Sequence, residues 1–257
     1  MWIQRHFCSL ISILGVCVAV LSGPLAAAEV TLFAAASLKN ALDALAQEYP
    51  DNALQIAYGG SSALSRQIQQ GAPTQLFLSA NTAWMDVLDQ DGLLAQGSRI
   101  DLLSNRLALI AAPGNSVQLR PAPEFELATA LGDGVLAMAL VKAVPAGIYG
   151  REALEALGVW YSVKDKVAQT DNVRAALRLV ATGEAPLGIV YATDLGAAPQ
   201  VRLLGLFPAD SHSPILYPLA LIEPVSPEAQ AAYDFLRSDA AQAVFARHGF
   251  SPLRVTE

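Results

Sequence analysis

Short apolar stretches alternate with amphipathic stretches along nearly the whole chain, and this alternation is the feature that most restricts its fold. The run "VTLFAAA" is typical of a buried strand, and the next run, "SLKNALDALAQEY", places Leu38, Leu42 and Leu45 on one helical face. The strand-like runs "ALQIAY" and "QLFLSA" are each followed by another helical pattern. This β-α-β-α-β order predicts a parallel sheet covered by helices and joined by right-handed crossovers.

A second α/β set follows a proline-rich stretch that begins at Pro113. It contains the strand-like runs "VLAMALV" and "LGIVYA" and predicted helices over 147–157 and 172–182, each closed by a glycine. Two more strand-like runs, "VRLLGLF" and "PILYPLALIE", precede two C-terminal helical patterns. We therefore expect two α/β lobes, joined by extended segments around 106–112 and 214–220.

The first 28 residues have the pattern of a secretory signal peptide. Residues 7–21 are apolar, and the small residues of "PLAAA" supply an A-x-A-like cleavage site before Glu29. A retained membrane anchor is the alternative, although the apolar run is short for a membrane span. Because Cys8 and Cys17 both lie in this segment, the processed chain has no disulfide or thiolate chemistry.

The charge balance excludes one large class of partners. The chain carries 16 Lys and Arg against 23 Asp and Glu, and removal of the leader takes away Arg5, which leaves a net charge of −8. Such an acidic chain lacks the basic surface that nucleic acids require. Its two remaining histidines, His212 and His248, are far apart in sequence, so we do not expect a histidine-based metal centre.

Candidate binding residues stand where predicted strands end and helices begin, because ligands of open α/β sheets bind beyond the carboxyl ends of strands. Ser37 and Ser61 follow the first two strands, and each is expected to cap the helix that it opens. Val173 lies in the first turn of another helix, with Asp171 as the expected cap. A single serine at a helix start is usually an ordinary N-cap, which contributes about 0.5–2 kcal/mol, so each serine alone is a weak indication of a binding site.

The start of "VPAGIYGREALEALG" has no side chain that could cap it. Ala146 and Gly147 follow Pro145 and leave backbone N–H groups unpaired at the positive end of the helix dipole, where an anion or water would bind. Tyr191 ends the strand "LGIVY". Its hydroxyl is either a ligand donor or the wet tip of a core side chain.

Neutral donors are expected to hold any bound anion. The sequence has no Gly-x-x-x-x-Gly-Lys loop, and Arg66, Arg151 and Arg174 are expected to lie inside helices and face solvent. Hydroxyl and N–H groups can hold a small, fully ionised tetrahedral oxyanion, because each hydrogen bond to a charged acceptor contributes about 1.5–3 kcal/mol. A lining of donors alone rejects solutes whose own proton needs an acceptor.

Five sequence blocks resemble the periplasmic molybdate-binding proteins of ABC importers, over about residues 30–250. The blocks occur in family order: "VTLFAAASLKNALDALA", "SSALSRQIQQGAPTQLFLSAN", "AVPAGIYGREALEALG", "NVRAALRLVATGEAPLGIVYATD" and "YPLALIE". The resemblance implies the two-lobed type II periplasmic binding fold, in which each lobe is a mostly parallel sheet flanked by helices and the ligand lies in the cleft between them. The expected lobes are residues 29–107 with 217–257, and residues 108–216.

The same resemblance implies a binding protein without catalysis or cofactor, whose ligand is molybdate or tungstate. The oxyanion would be held by the hydroxyls of Ser37, Ser61 and Tyr191 and by the N–H groups of Ala146 and Val173, with no direct protein ligand to the metal. The implied partner is a membrane ABC permease, and the protein is expected to be a periplasmic monomer.

Several positions depart from the family pattern. Lys142 lies just before the "VPAG" block, where family members often carry Asp-Pro, and it is expected to affect selectivity or closure. Gln75 and Asn81 replace acidic residues, and Gly59 and Gly60 stand where small residues or serine are usual.

Two alternative functions follow from the same residues. One is a binding protein for another small tetrahedral oxyanion, such as sulfate or thiosulfate. The other is an exported hydrolase that uses Ser37 or Ser61 as nucleophile with His212 or His248 as base, although the chain has no Gly-x-Ser-x-Gly elbow.

Overall fold

The computed structural model describes residues 29–50 and 53–253, so the predicted signal peptide lies outside the described residues. Within them the chain forms eleven strands and nine helices. The strands are β1 (Val30–Ala35), β2 (Leu54–Gly59), β3 (Leu76–Leu78), β4 (Ile100–Ser104), β5 (Leu107–Ala111), β6 (Leu136–Ala139), β7 (Val167–Thr170), β8 (Leu187–Tyr191), β9 (Arg202–Leu206), β10 (Leu216–Leu221) and β11 (Ser251–Pro252). The helices are α1 (Lys39–Glu48), α2 (Ser61–Gln69), α3 (Thr82–Gln90), α4 (Leu127–Leu131), α5 (Pro145–Ala156), α6 (Trp160–Val163), α7 (Val173–Ala181), α8 (Pro227–Arg237) and α9 (Asp239–Arg247).

The strands form two sheets. The first sheet has the order β11-β4-β10-β3-β1-β2, and the second has the order β7-β6-β8-β5-β9. In the first, β1 is parallel to β2 and β3, whereas β10 is antiparallel to β3 and β4 and β11 is antiparallel to β4. In the second, β6 is parallel to β7 and β8, and β5 is antiparallel to β8 and β9. The expected α/β class, with two sheets and flanking helices, is confirmed. The sheets are mixed rather than mostly parallel as predicted, because β10 and β11 in the first and β5 and β9 in the second pair antiparallel.

The chain passes between the sheets at two places. It leaves the first sheet after Ser104 and enters the second at Leu107, and it returns between Leu206 and Leu216. The segments predicted to join the lobes, around 106–112 and 214–220, begin at these crossings, and their predicted extended conformation is confirmed. Both segments are mostly strand, because β5 and β10 each have a hydrogen-bonded partner on both sides.

Burial follows the apolar patterns of the sequence. Every residue of β5 and β8 is buried, as expected for central strands covered by helices on both faces. On α7 the buried residues follow helical spacing and face the second sheet: Val173, Ala176, Leu177 and Val180. No helix in the described part of the chain is both long and apolar enough to cross a bilayer.

The two serines predicted as helix caps do not cap. Ser37 lies inside a short 3₁₀ turn, Ala36–Leu38, and α1 begins after it at Lys39. Ser61 is the first residue of α2, whose N-cap is Gly60. Both hydroxyls instead make hydrogen bonds to residues distant in sequence, which sequence spacing alone does not reveal.

Candidate functional site

A small cavity lies where strand ends and helix starts from both sheets meet. It is lined by all five predicted binding residues: Ser37, Ser61, Ala146, Val173 and Tyr191. The two serines follow strands of the first sheet, and the other three residues belong to elements of the second. The structure thus brings the five residues together, and their role in binding stays a prediction.

The lining contains no charged side chain among the described residues. Besides the five predicted residues it consists of Ala35, Ala36, Gly59, Gly60, Ala80, Val144, Pro145 and Asn172. A solute in this cavity would therefore interact with hydroxyl groups, backbone amides and helix dipoles rather than with a counter-charge.

Three helices begin at the cavity. α2, α5 and α7 have 9, 12 and 9 residues, and the first residues of each line the cavity. The N-terminus of a helix carries about half a positive elementary charge and unpaired N–H groups. Three such ends around one cavity make it electropositive without any lysine or arginine in the lining.

The start of α5 has no side-chain cap, as predicted. Its N-cap residue is Val144, whose N–H bonds to the Leu140 carbonyl, and Pro145 has no N–H to donate. Helix geometry leaves the amides of Ala146 and Gly147 without partners in the helix, and Ala146 lines the cavity. A Cβ on Gly147 would come within 2.3 Å of a carbonyl oxygen at the end of β6, so only glycine fits there.

The start of α7 is capped by a residue other than the one predicted. Asn172 is the N-cap, and its Oδ1 accepts a hydrogen bond from the Ala175 N–H at 3.0 Å. The prediction that Asp171 caps this helix is wrong by one position. Because the cap serves the third residue of the helix, the N–H of Val173, the first residue, stays available at the cavity.

The Ser37 hydroxyl is oriented by a chain of hydrogen bonds. The Arg106 N–H donates to Asn105 Oδ1 at 2.8 Å, which directs Asn105 Nδ2 to donate to Tyr217 Oη at 3.1 Å. Tyr217 Oη then lies 3.0 Å from Ser37 Oγ and has its own proton to donate to it. When Tyr217 is the donor of this pair, the proton of Ser37 is free to point into the cavity.

The other two hydroxyls are also left as donors. Ser61 Oγ accepts the Ala80 N–H at 3.0 Å, which leaves the proton of Ser61 for the cavity. Tyr191 Oη is buried and has no hydrogen-bond partner among the described residues. Burial raises the pKa of Tyr191 well above its usual value of 10.0, so its hydroxyl keeps its proton. A polar group that is buried without a hydrogen-bond partner costs about 1–3 kcal/mol of stability, and a bound ligand would supply the missing partner.

Arg174 does not face solvent, and this prediction is wrong. It is the second residue of α7, its side chain is only 17% exposed, and its Nε lies 2.6 Å from Oδ1 of the fully buried Asp194. Burial raises the pKa of Asp194 to about 6, although the Arg174 guanidinium and the Tyr191 N–H both act to lower it. The other two arginines differ: Arg66 is exposed over the Trp84 ring, and the half-exposed Arg151 pairs with Glu155.

Of the departures from the family pattern, Gly59 and Gly60 line the cavity, whereas Lys142, Gln75 and Asn81 lie outside it. Lys142 is exposed and is not a lining residue. Gln75 Oε1 accepts the Thr31 N–H at 2.7 Å, and Asn81 caps α3 through a 3.3 Å bond from the Trp84 N–H. These two substitutions therefore have structural roles in the first sheet and the adjoining helix.

No histidine lines the cavity among the residues that the structure describes. His212 contacts the carbonyl of Ser213, and His248 lies at the end of α9. Within the same residues, no group of three or more His, Cys, Asp or Glu side chains could hold a metal ion.

Comparison with known proteins shows the family to which the chain belongs. The family model described as "Bacterial extracellular solute-binding protein" matches residues 30–251. This chain belongs to that family. The solute-binding protein is 39% identical to the molybdate-binding protein ModA of Haemophilus influenzae over 231 residues, which is 88% of this chain and 91% of that protein. It is also 39% identical to ModA of Escherichia coli over 233 residues, 87% of this chain and 89% of that protein.

A solved structure supports the same fold. The periplasmic molybdate-binding protein of Azotobacter vinelandii superposes on this solute-binding protein with a TM-score of 0.76 and 22% identity, covering 88% of this chain and all of the other. At this identity the likeness concerns the fold alone. Together with the two relatives above, it confirms the family resemblance predicted from the five sequence blocks.

Sequence reasoning missed several residues that support the site of this solute-binding protein. They are Asn105, Tyr217, Arg174, Asp194 and Gly60, and most of them act through contacts between distant parts of the chain. Two weak signals were present: an arginine directly after the proposed ligand Val173, and an aspartate three residues after Tyr191.

Proposed function

We propose that this solute-binding protein captures molybdate, and tungstate with it, in the periplasm and delivers it to an ABC permease. The observation that carries the proposal is the Tyr191 hydroxyl, a buried donor that has no hydrogen-bond partner among the described residues. It lies at a cavity that two serine hydroxyls and three helix starts also reach. The names of the two 39% identical relatives point to the same ligand.

The donor-only lining supports an anion that carries no proton. Ser61 accepts a hydrogen bond from the protein and Tyr191 keeps its proton, so both present O–H groups to the cavity. Ser37 presents its O–H group as well when Tyr217 donates to it. A tetrahedral dianion accepts from every direction and matches such a lining. A protonated anion would bring its own O–H to a site without an acceptor, which leaves a buried donor unpaired.

The two sheets support a division into lobes that close on the ligand. We assign residues 29–107 and 217–257 to one lobe and residues 108–216 to the other. A ligand that contacts Ser37 and Ser61 on one lobe and Ala146, Val173 and Tyr191 on the other favours the closed state by its differential affinity. We further propose a monomer without cofactor or catalysis, exported through a signal peptide over residues 1–28.

Isothermal titration of the purified, processed protein tests this function. Molybdate is expected to bind with micromolar affinity or better and with a stoichiometry of one, and sulfate is expected to bind much more weakly. Tighter binding of sulfate or thiosulfate than of molybdate would contradict the proposed ligand. No binding of any of these anions would refute the site.

A further inference from the structure

The Arg174 side chain joins the two lobes beside the cavity. Its Nη2 donates to the Ser37 carbonyl oxygen at 3.0 Å and its Nη1 to Asn40 Oδ1 at 2.8 Å, and both acceptors belong to the first lobe. Arg174 itself is the second residue of α7, in the second lobe. These two bonds can form only when the lobes lie close together.

Asp194 holds this guanidinium in place from within the second lobe. Its Oδ1 accepts from Arg174 Nε at 2.6 Å, and its Oδ2 accepts the Tyr191 N–H at 3.0 Å. One arginine is thereby connected to three of the five proposed ligand contacts: by chain to Val173, through Asp194 to Tyr191, and across the cleft to Ser37. Arg174 does not line the cavity, so it does not contact the ligand directly.

We propose that Arg174, anchored by Asp194, is a latch that holds the lobes closed on the bound oxyanion. This inference rests on the proposed function and makes Arg174 a positioning residue rather than a ligand. The latch acts after the ligand has entered, because its acceptors come within reach only as the lobes approach. Its loss therefore speeds the escape of the ligand and leaves its capture little changed.

The latch requires the planar, forked shape of the arginine guanidinium group. Three nitrogen atoms of one planar group serve Asp194, Ser37 and Asn40 at once. A lysine keeps the positive charge and can still pair with Asp194, but its single ammonium cannot span the same three acceptors. Arg174→Lys thus removes the latch while the buried carboxylate keeps a partner, which limits the risk of unfolding.

The central experiment compares molybdate binding by the unchanged protein and by Arg174→Lys. We expect the variant to release molybdate at least about tenfold faster, with an association rate within about threefold of the original. Asn40→Ala, which removes one crossing bond at an exposed residue, is expected to show a smaller increase in the same rate.

Arg178→Ala is the matched control. Arg178 lies one turn further along α7 and is exposed. Its removal alters the same helix without touching the cleft, so affinity and both rates should stay unchanged. Because Arg174→Lys keeps the positive charge, an equal loss in Arg178→Ala would show a general disturbance of α7 and overturn the latch.

Trp84 offers a readout of closure itself. Its Nε1 donates to the Ala143 carbonyl of the other lobe at 2.8 Å, and Trp160→Phe leaves it as the single tryptophan of the processed chain. In that background, stopped-flow emission follows closing and opening, and titration calorimetry gives the affinity independently. Equal affinity in Arg174→Lys and the unchanged protein would refute the latch alone. Failure of the unchanged protein to bind any of the oxyanions would refute the proposed function and the latch with it.

Discussion

At the scale of single residues, the site depends on where each hydroxyl proton points. The Ser37 hydroxyl is hydrogen-bonded to Tyr217 and the Ser61 hydroxyl to the Ala80 N–H, whereas the Tyr191 hydroxyl has no hydrogen-bond partner among the described residues. The three groups therefore differ in what their removal does to the protein without ligand. Removing the Tyr191 hydroxyl breaks no hydrogen bond within the described part of the chain.

For this reason, Tyr191→Phe should weaken ligand binding without lowering the stability of the protein. Loss of one hydrogen bond to a charged acceptor costs about 1.5–3 kcal/mol, so molybdate affinity should fall by about ten- to a hundredfold. The free energy of unfolding without ligand should stay unchanged or rise. Calorimetric titration and urea unfolding measure the two quantities, with Tyr161→Phe, at a residue that is 78% exposed, as control. Unchanged affinity would remove Tyr191 from the site.

The raised pKa of Tyr191 predicts how binding depends on pH. An ordinary tyrosine is half ionised at pH 10, and its phenolate would repel an anion. Burial keeps the Tyr191 hydroxyl protonated above that pH, so molybdate affinity should stay level between pH 7.5 and pH 10. Titrations across this range check the expectation. A steep fall in affinity near pH 9 to 10 that disappears in Tyr191→Phe would contradict it.

The five candidate positions could be predicted from sequence because each stands at the end of a strand or the start of a helix. Arg174 could not, because its partners Ser37 and Asn40 lie 137 and 134 residues away. Sequence spacing placed Arg174 on a helix, but only the packing of two lobes turns that side chain inward.

At the scale of elements, three helix starts must approach one another closely for the cavity to form. Gly60, the N-cap of α2, lies against the segments before α5 and α7: a Cβ there would come within 2.4 Å of the Asp171 carbonyl oxygen and 3.3 Å of a Val144 methyl group. The sequence predicted the helices themselves, since their apolar faces repeat regularly. It did not predict the caps, because a serine at a helix start can serve a tertiary contact instead.

Gly60→Ala should therefore impair closure. The added methyl group meets backbone of the other lobe, which cannot move aside as a side chain would, so molybdate affinity should fall at least about tenfold, equivalent to about 1.4 kcal/mol. Thermal unfolding without ligand should change little, because the open protein does not bring these segments together. Gly196→Ala is the control, since no atom lies within 4 Å of its added Cβ. Equal affinities in both variants would contradict this role of Gly60.

At the scale of the whole molecule, two sheets meet at one cavity and the chain crosses between them only twice within the described residues. These crossings, at 105–106 and 207–215, connect β4 to β5 and the edge strand β9 to β10. The alternation of elements predicted two α/β units. The positions of the crossings could not be predicted. The sequences of β5 and β10 indicate extended strands whichever sheet they join, and only strand pairing assigns each strand to a sheet.

Ligand binding should stabilise the molecule as a whole. A ligand that binds only the folded protein adds about 2.7 kcal/mol to the free energy of unfolding at a concentration of one hundred times its Kd. Molybdate should thus raise the midpoint of thermal unfolding progressively with concentration, and sulfate at equal ionic strength should raise it much less. An equal rise with both anions would indicate a general salt effect and contradict a selective site.

The most direct test of the proposed oxyanion site is a crystal structure of the processed protein with molybdate, in which the metal is located by its anomalous scattering. We expect one strong anomalous peak in the cavity between the lobes. The oxygen atoms around it should lie within hydrogen-bond distance of the Ser37, Ser61 and Tyr191 hydroxyls and of the Ala146 and Val173 N–H groups. A peak elsewhere on the protein, or a cavity that stays free of molybdenum at saturating concentration, would contradict it.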